Sequence, residues 1–263
     1  MPSGIITLLT DFGSADAFVG IMKGVILGIN RQAQVVDLTH AIPPQQILPG
    51  ALVLRSAARF FPEATVHVAV VDPGVGSARR PIVVETSHGF LVGPDNGVLS
   101  LAAAVLGTRQ VRLIENMEYV RQPVSQTFHG RDIFAPVAAH LSRGIALDTL
   151  GPHVDSIVEL AVPAPQSSTS GVRGEVIYVD HFGNLITNIT ADALAHFPAQ
   201  GVSVSIDGKP VAGPVNAYAA VPEGAALAIV GSWGVVEIAV CGGSAAQTFA
   251  AGPGTPVTVV GVT

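Results

Sequence analysis

Charged side chains are scarce in this 263-residue sequence, at 12% of the chain against a usual share of about 25%. Those present lean acidic, with 19 Asp and Glu against 13 Lys and Arg for a net charge of −6. Lacking a cluster of basic residues, the chain has no electrostatic footprint of a nucleic-acid binder. Its sign suits a small cationic ligand better. Cysteine is nearly absent. The single Cys241 excludes an internal disulfide framework and any Cys-cluster zinc site. Long apolar runs are missing too, since no stretch approaches the roughly 18 consecutive apolar residues of a membrane helix. The opening MPSGIITLLTDF has no basic n-region ahead of its strand-like pattern, so neither a membrane span nor a signal peptide is expected. The expected compartment is the cytoplasm.

What is abundant is apolar surface. Apolar residues make up 49% of the chain and mean hydropathy is +0.52. A chain of 263 residues can bury a substantial core, as one large domain or two unequal ones. The surplus is expected inside that core and, in part, between the subunits of an oligomer.

Through about residue 160, strand-like and helix-like patterns alternate, which argues for a largely parallel sheet covered by helices. GIITLLTDF, QVVDLTH and TVHVAVVDPGVG read as strands, and PIVVETSHGFLVGPDNG as two short runs about a turn. Asp16 is placed to cap a helix carrying Val19, Met22, Ile26 and Ile29 on one face. ILPGALVLRSAARFF reads as helical after Gly50, and GVLSLAAAVLG as a further helix. In DIFAPVAAHLSRG, Ile133, Phe134, Val137 and Leu141 keep helical spacing up to Gly144. PAPQSSTSG, Pro163 to Gly171, has the composition of a linker. Short strands follow it, with Asp207-Gly208 as a hairpin turn. The expected architecture is an α/β domain over residues 1–164, an α/β/α layered fold with a largely parallel sheet. A small all-β domain, a barrel or a sandwich, follows over residues 165–263.

Several strands end in an acid: Asp11, Asp37 and Asp72, with Asp95 in the turn VGPDNG. Open parallel sheets bind ligands outside the carboxyl ends of their strands. Asp11 and Asp72 therefore face one crevice if their strands are neighbours. Asp37 and Asp95 read as helix caps or turn formers.

VVDPGVGSARR, residues 70–80, comes within one residue of the dinucleotide fingerprint G-x-G-x-x-G, with Arg79 in place of the last glycine. Such a loop should open directly into a helix, but PIVVE follows here. No helix N-terminus waits for a pyrophosphate, and no GxxxxGKS or GxxxxGKT occurs elsewhere. The glycines are expected to fold the loop back so that Arg79 approaches Asp72, keeping it ionised and oriented. The alternative reading is a structural ion pair in a surface loop, with Arg80 solvated. In QTFHGRDIFAP, residues 126–136, His129 lies in a loop just before a helix capped near Asp132. His129, Asp72 and Arg79 together can orient and deprotonate a water. Other histidines, His67 and His196 among them, read as structural or surface residues.

Six motifs carry a resemblance: LLTDFGSADAFVGIMKG, VVDPGVGSARR, VGPDNG, FHGRDIFAP, VDHFGNLITNI and GSWGVVEIAV, in this order. Together they resemble the S-adenosyl-L-methionine hydroxide adenosyltransferase family, from about Ile5 to Val240. Its relatives include fluorinating and chlorinating enzymes that act on the same substrate. The resemblance implies an N-terminal α/β domain, a C-terminal β-barrel and a homotrimer with sites between subunits. It implies that water attacks the ribose C5′ of S-adenosyl-L-methionine, giving adenosine and L-methionine with no metal or other cofactor. Asp72, Arg79 and His129 match the family's water-activating set, with His129 or Asp72 taking the proton. Asp11 matches the carboxylate that receives both ribose hydroxyls, and Asp16 a position lining the substrate site. Asp180 matches the group holding the methionine ammonium, Asn184 the one reading adenine's edge, and Ser232 a contact to the methionine carboxylate. The chain departs from the pattern at Trp233 and Val240, where halogenating relatives carry arginines, and at Cys241, where Asn is common.

Three other readings compete. A halogenase of the same family would carry Tyr at the positions of Asp72 and His129 and an insertion near ETSHG, which here is a tight turn. A metal-dependent hydrolase would use Asp11, Asp72 and His129 as ligands, against the charge of Arg79. A non-catalytic binder of adenosine or S-adenosyl-L-methionine would use the same residues without turnover.

Overall fold

The computed structural model describes residues 3–195, 197 and 201–261, so His196 lies outside the described residues. The chain forms two compact units, Met1–Leu160 and Ala161–Thr263.

The first unit is built on six strands: β1 (Ile5–Thr10), β2 (Gln34–Thr39), β3 (Thr65–Val70), β4 (Pro81–Thr86), β5 (Gly89–Pro94) and β6 (Thr108–Leu113). They form one sheet in the order β2-β1-β3-β5-β4-β6. The pairs β2–β1, β1–β3 and β3–β5 are parallel, and β4 runs antiparallel to both β5 and β6. Helices α1 (Phe18–Ile29) and α4 (Ala135–Ser142) pack on one face, and α2 (Ile47–Ala58) and α3 (Ser100–Leu106) on the other. The residues of β3 are all buried, because strand alternation sends Val66, Val68 and Val70 to the α1/α4 core and Ala69 to the α2/α3 core. A layered α/β/α arrangement results, as the alternation of patterns implies.

Two local expectations change. Helix α2 starts at Ile47 rather than after Gly50, because Pro49 sits in the first turn, where a missing N–H costs nothing. The linker-like Pro163–Gly171 contains a two-residue strand, β7 (Gln166–Ser167), which pairs with Arg173 and Val172.

The second unit holds β8 (Gly171–Val179), β9 (Leu185–Thr190), β10 (Val202–Ile206), β11 (Lys209–Val215), β12 (Ala226–Val230), β13 (Val235–Val240) and β14 (Pro256–Gly261). These seven pair in the ring β14-β10-β11-β12-β13-β9-β8, which the β14–β8 pairing closes into a barrel. Closure leaves no free edge in the ring. Between β10 and β11, Asp207 (φ 47°) and Gly208 (φ 75°) both adopt the left-handed region. That is the backbone a two-residue type I′ hairpin requires. No helix among the described residues is long and apolar enough to cross a membrane.

Candidate active site

Strands β1 and β3 are direct neighbours, with Thr10 opposite Val70. Asp11 and Asp72, one and two residues beyond them, therefore leave the same edge of the sheet, where parallel sheets place ligands. Both line a cavity of about 390 Å³ together with His129. Phe12, Phe18 and Phe128 form its apolar wall, with ring centroids 5.3–5.9 Å apart.

The glycines of VVDPGVGSARR fold the loop back on itself. Val75 N–H donates to the Asp72 carbonyl at 3.2 Å, and Ser77 N–H to the Gly74 carbonyl at 3.1 Å. Gly76 takes φ +77°, and a Cβ there would collide with the carbonyl oxygen of Gln126. That close approach sets the loop against the segment carrying His129. Arg79 Nε donates to Asp72 Oδ1 at 3.0 Å and Oδ2 at 2.9 Å, and Nη2 closes on Oδ2. The side chains of Asp72 and Arg79 are 5% and 9% exposed, so the pair is shielded from solvent rather than sitting in a surface loop.

Arg79 Nη2 also lies 2.6 Å from His129 Nδ1. A guanidinium has no acceptor, so Nδ1 must accept, which leaves the imidazole neutral with its proton on Nε2. Burial and the adjacent Arg79 charge push the His129 pKa below its ordinary value, against weaker opposing pulls from Asp72 and Asp132. Arg79 thus donates to a carboxylate on one side and an imidazole on the other.

Asp132 does not cap the helix as expected. His129 precedes a single π-helical turn, Gly130–Phe134, that runs into α4, and Asp132 lies inside that turn, fully buried. It accepts from Ser125 N–H at 2.9 Å and from Arg131 at 2.7 and 2.8 Å. Burial alone would raise its pKa, but the bonds from Arg131 and Ser125 prevail and lower it. Asp132 therefore ties down the strap from Ser125 to Arg131 that presents His129.

Other acids fall into other roles. Asp11 Oδ2 accepts from Gln45 N–H at 2.8 Å, and Gln45 itself lines the cavity with φ 65°. Asp16 is exposed, makes no cap bond, and leaves the N-cap of α1 to Ala17. It is not among the residues lining this cavity. Asp37 pairs with Lys23 at 2.6 Å and with His40 at 3.0 Å, and Asp95 pairs with Arg80. Both are held by ion pairs, not by the caps or turns expected of them. Arg80 is accordingly not free in solvent, since it also donates to the Ser156 carbonyl at 3.0 Å.

The barrel unit has its own cavity, about 740 Å³, which Asp180, Asn184 and Ser232 line with the rings of Phe182, Tyr218 and Trp233. Asp180 Oδ1 accepts from the N–H groups of Phe182 (2.9 Å) and Asn184 (2.8 Å), and Oδ2 accepts from Asn184 Nδ2 at 3.0 Å. Trp233 stacks on Tyr178 with centroids 5.3 Å apart. Glu237 was not expected here. It is buried in β13, lines the cavity, and accepts from Tyr218 Oη at 2.7 Å. Its only mark in the sequence is an acid inside the apolar run VVEIAV. Among the described residues, no three His, Cys, Asp or Glu side chains gather so as to hold a metal ion.

Comparison with known proteins places this geometry. The family model of the SAM hydroxide adenosyltransferase N-terminal domain matches residues 6–151, and that of the C-terminal domain residues 174–258. A protein of Salinispora tropica named (R)-S-adenosyl-L-methionine hydrolase is 42% identical, over 96% of each chain. A protein of Actinoplanes sp. named Fluorinase is 30% identical, over 70% of this chain and 71% of that one. The crystal structure of an uncharacterized conserved protein from Thermotoga maritima superposes with a TM-score of 0.89 at 39% identity, covering 97% of this chain and 99% of that one. With both domain models matched and a full-length relative at 42% identity, the chain belongs to the SAM hydroxide adenosyltransferase family.

Proposed function

We propose that the protein hydrolyses S-adenosyl-L-methionine to adenosine and L-methionine by attack of water at the ribose C5′. The observation that carries this reading is the shielded Asp72–Arg79–His129 cluster beside Asp11 on one cavity. The water oxygen bonds to C5′ as the C5′–S bond breaks, and the electron pair of that bond passes to sulfur. Methionine leaves as a neutral thioether, so no acid is needed to protonate it. The attacking water becomes a protonated alcohol and sheds one proton, which is acidic once the C–O bond forms. The barrier lies in desolvating the water and aligning it with the C–S bond.

Of His129 and Asp72, the bonds already made favour Asp72 as the group that takes the proton. Arg79 only donates, and His129 Nδ1 is occupied by it. Asp72 Oδ1 takes one Arg79 bond where Oδ2 takes two, leaving acceptor capacity toward the cavity. Asp72 is the proposed base, His129 orients the water through its Nε2–H, and Arg79 fixes both. Asp11 receives the ribose hydroxyls, and Asp16 is assigned to the substrate site by the family match alone, since it does not line this cavity. In the barrel unit, Asp180 is assigned to the methionine ammonium, Asn184 to adenine's edge and Ser232 to the methionine carboxylate. No step calls for a metal or a further cofactor. A cytoplasmic homotrimer with sites between subunits completes the proposal. The support for an oligomer is the high apolar content of the chain.

The test is chelator-treated protein incubated with substrate, with and without high chloride, followed by chromatography and mass spectrometry. The Salinispora relative is named for the (R) substrate, so both sulfonium epimers are assayed. Equal amounts of adenosine and methionine, indifferent to chloride and chelator, are expected. A 5′-chloro product would make the protein a halogenase, and intact substrate retained by the protein would make it a binding module. Sedimentation equilibrium tests the trimer.

A further inference from the structure

The barrel cavity holds an acid that these roles leave unused. In β13, Val236 and Ile238 are fully buried in the barrel core. Strand alternation turns Glu237 the other way, onto the cavity that it lines with Asp180, Asn184, Ser232 and Tyr218. Glu237 is only 6% exposed. Tyr218 Oη donates to Oε1, while Oε2 takes no hydrogen bond from the described residues. Oε2 lies against Gly231, where a Cβ would come within 2.5 Å of it, so the carboxylate sits beside the turn before Ser232.

Oε2 is not cut off from solvent, so it stands open to a donor that enters the cavity. No Lys, Arg or His of the described residues lines this cavity, so beyond water the donor to Oε2 comes from a ligand. Asp180 is less available, because the chain already fills three of its roughly four acceptor positions, whereas one is filled at Glu237. Burial and the nearby Asp180 hold Glu237 above the ordinary carboxylate range, the condition a ligand N–H donor relieves.

We infer that Glu237 is a substrate-recognition residue whose Oε2 receives an amino group of the ligand, with Tyr218 holding Oε1. The inference rests on the proposed reaction for the ligand's identity. S-adenosyl-L-methionine carries two such donors, the α-ammonium and the exocyclic amine of adenine. The two products separate them, since methionine has only the first and adenosine only the second.

Calorimetric titration of wild type and Glu237→Gln with each product tests the assignment. Gln keeps the size and the Tyr218 bond but removes the charge. A loss of affinity of about 10- to 100-fold is expected for one product. Loss confined to methionine places the ammonium at Oε2. Loss confined to adenosine, with inosine bound equally by both proteins, places the exocyclic amine there. Affinities for both products within about twofold of wild type overturn the inference, while wild-type hydrolysis leaves the reaction standing. A wild type that hydrolyses nothing but shows the Glu237→Gln loss overturns the reaction and keeps the binding role. A wild type that binds neither product overturns both. If Glu237→Gln does not fold, Tyr218→Phe removes only the hydroxyl on Oε1 and is expected to shift affinity for one product. No shift beyond about twofold overturns the inference.

Discussion

Replacing Asp72 with Asn exchanges one oxygen for an amide nitrogen and keeps the outline of the side chain. Arg79 Nε can still donate to the remaining oxygen, which it now approaches at 2.9–3.0 Å. The new NH₂ faces guanidinium donors, and a pair that is 5% and 9% exposed loses its neutralising charge. Breaking a buried ion pair costs about 3–5 kcal/mol, and the surviving bond keeps the loss near the lower end. Against the ~5–15 kcal/mol of a typical domain, the variant stays folded. Turnover responds more sharply. Asp72 is proposed to hold the attacking water in line as well as to take its proton, so its loss is expected to lower rate by about 10²- to 10⁴-fold, or about 3–5 kcal/mol on the barrier. Asp72 has no assigned contact to the ribose hydroxyls, the adenine or the amino-acid end, so KM is expected to stay within about twofold. Adenosine release over a substrate series gives kcat and KM, and a thermal melt in parallel confirms folding. A kcat within about threefold of wild type refutes the base assignment. A raised KM at unchanged kcat would instead place Asp72 among the substrate-binding groups.

Asp11→Asn is expected to raise KM by about tenfold or more with a smaller effect on kcat, and unchanged adenosine affinity by calorimetry would remove Asp11 from the ribose contact. Gly76→Ala forces a Cβ onto the Gln126 carbonyl at a φ of +77°. It should cost about 1–3 kcal/mol of stability and lower turnover by displacing Arg79 from His129, which denaturant midpoints and kcat check together. Because burial and Arg79 push the His129 pKa below 6.5, turnover should hold flat above pH 6.5 and fall only below it. A decline already under way above about pH 7 contradicts the neutral imidazole. Burial pushes His67 down to about 4 from 6.5, so the unfolded chain binds its proton first. The stability it confers is present above pH 6.5 and lost as pH falls toward about 4, an amount of about 3 kcal/mol. Urea midpoints across that range should fall less steeply in His67→Gln.

Fold class is legible in the sequence because the apolar period changes once and completely. Fully buried runs such as TVHVAV, interleaved with helical spacing, can only be covered on both faces, while the short alternating strands after residue 171 fit a barrel or a sandwich, and the β14–β8 pairing decides for the barrel. Element ends are less legible. The start of α2 hides behind Pro49 and β7 behind a Ser-rich run, because turn residues are also tolerated at the first turn of a helix and at a sheet margin. The approach of Arg79 to Asp72 is readable from seven residues and two glycines. The approach of Arg79 to His129, fifty positions apart, is not, since it depends on Gly76 meeting the Gln126 backbone. Arg80–Asp95 escapes notice for the same reason, as the charge is visible and its partner is not. Glu237 looks like an interruption of an apolar strand until the fold sets the face of β13 opposite the barrel core against a cavity.

The charge of the N-terminal cavity bears on which nucleophile it admits. Asp72 is neutralised by Arg79, and Arg79 also holds His129 neutral by occupying Nδ1, which leaves the Asp11 carboxylate as the uncompensated charge on this cavity. A net negative wall attracts a sulfonium and resists a second anion. A halide about 4 Å from a carboxylate meets a repulsion of about 4 kcal/mol at an effective dielectric of about 20, a factor of about 10³ in occupancy. Arg79 does not cancel this at the attacking position, because its donors are already directed at Asp72 and His129. Water carries no charge into the cavity, can donate to Asp72 and can accept from His129, so it fits where a halide does not. Asp72→Asn leaves Arg79 without its neutralising carboxylate, so it is expected both to slow hydrolysis and to admit chloride, and a variant that forms no 5′-chloro product at high chloride would refute this account of nucleophile choice.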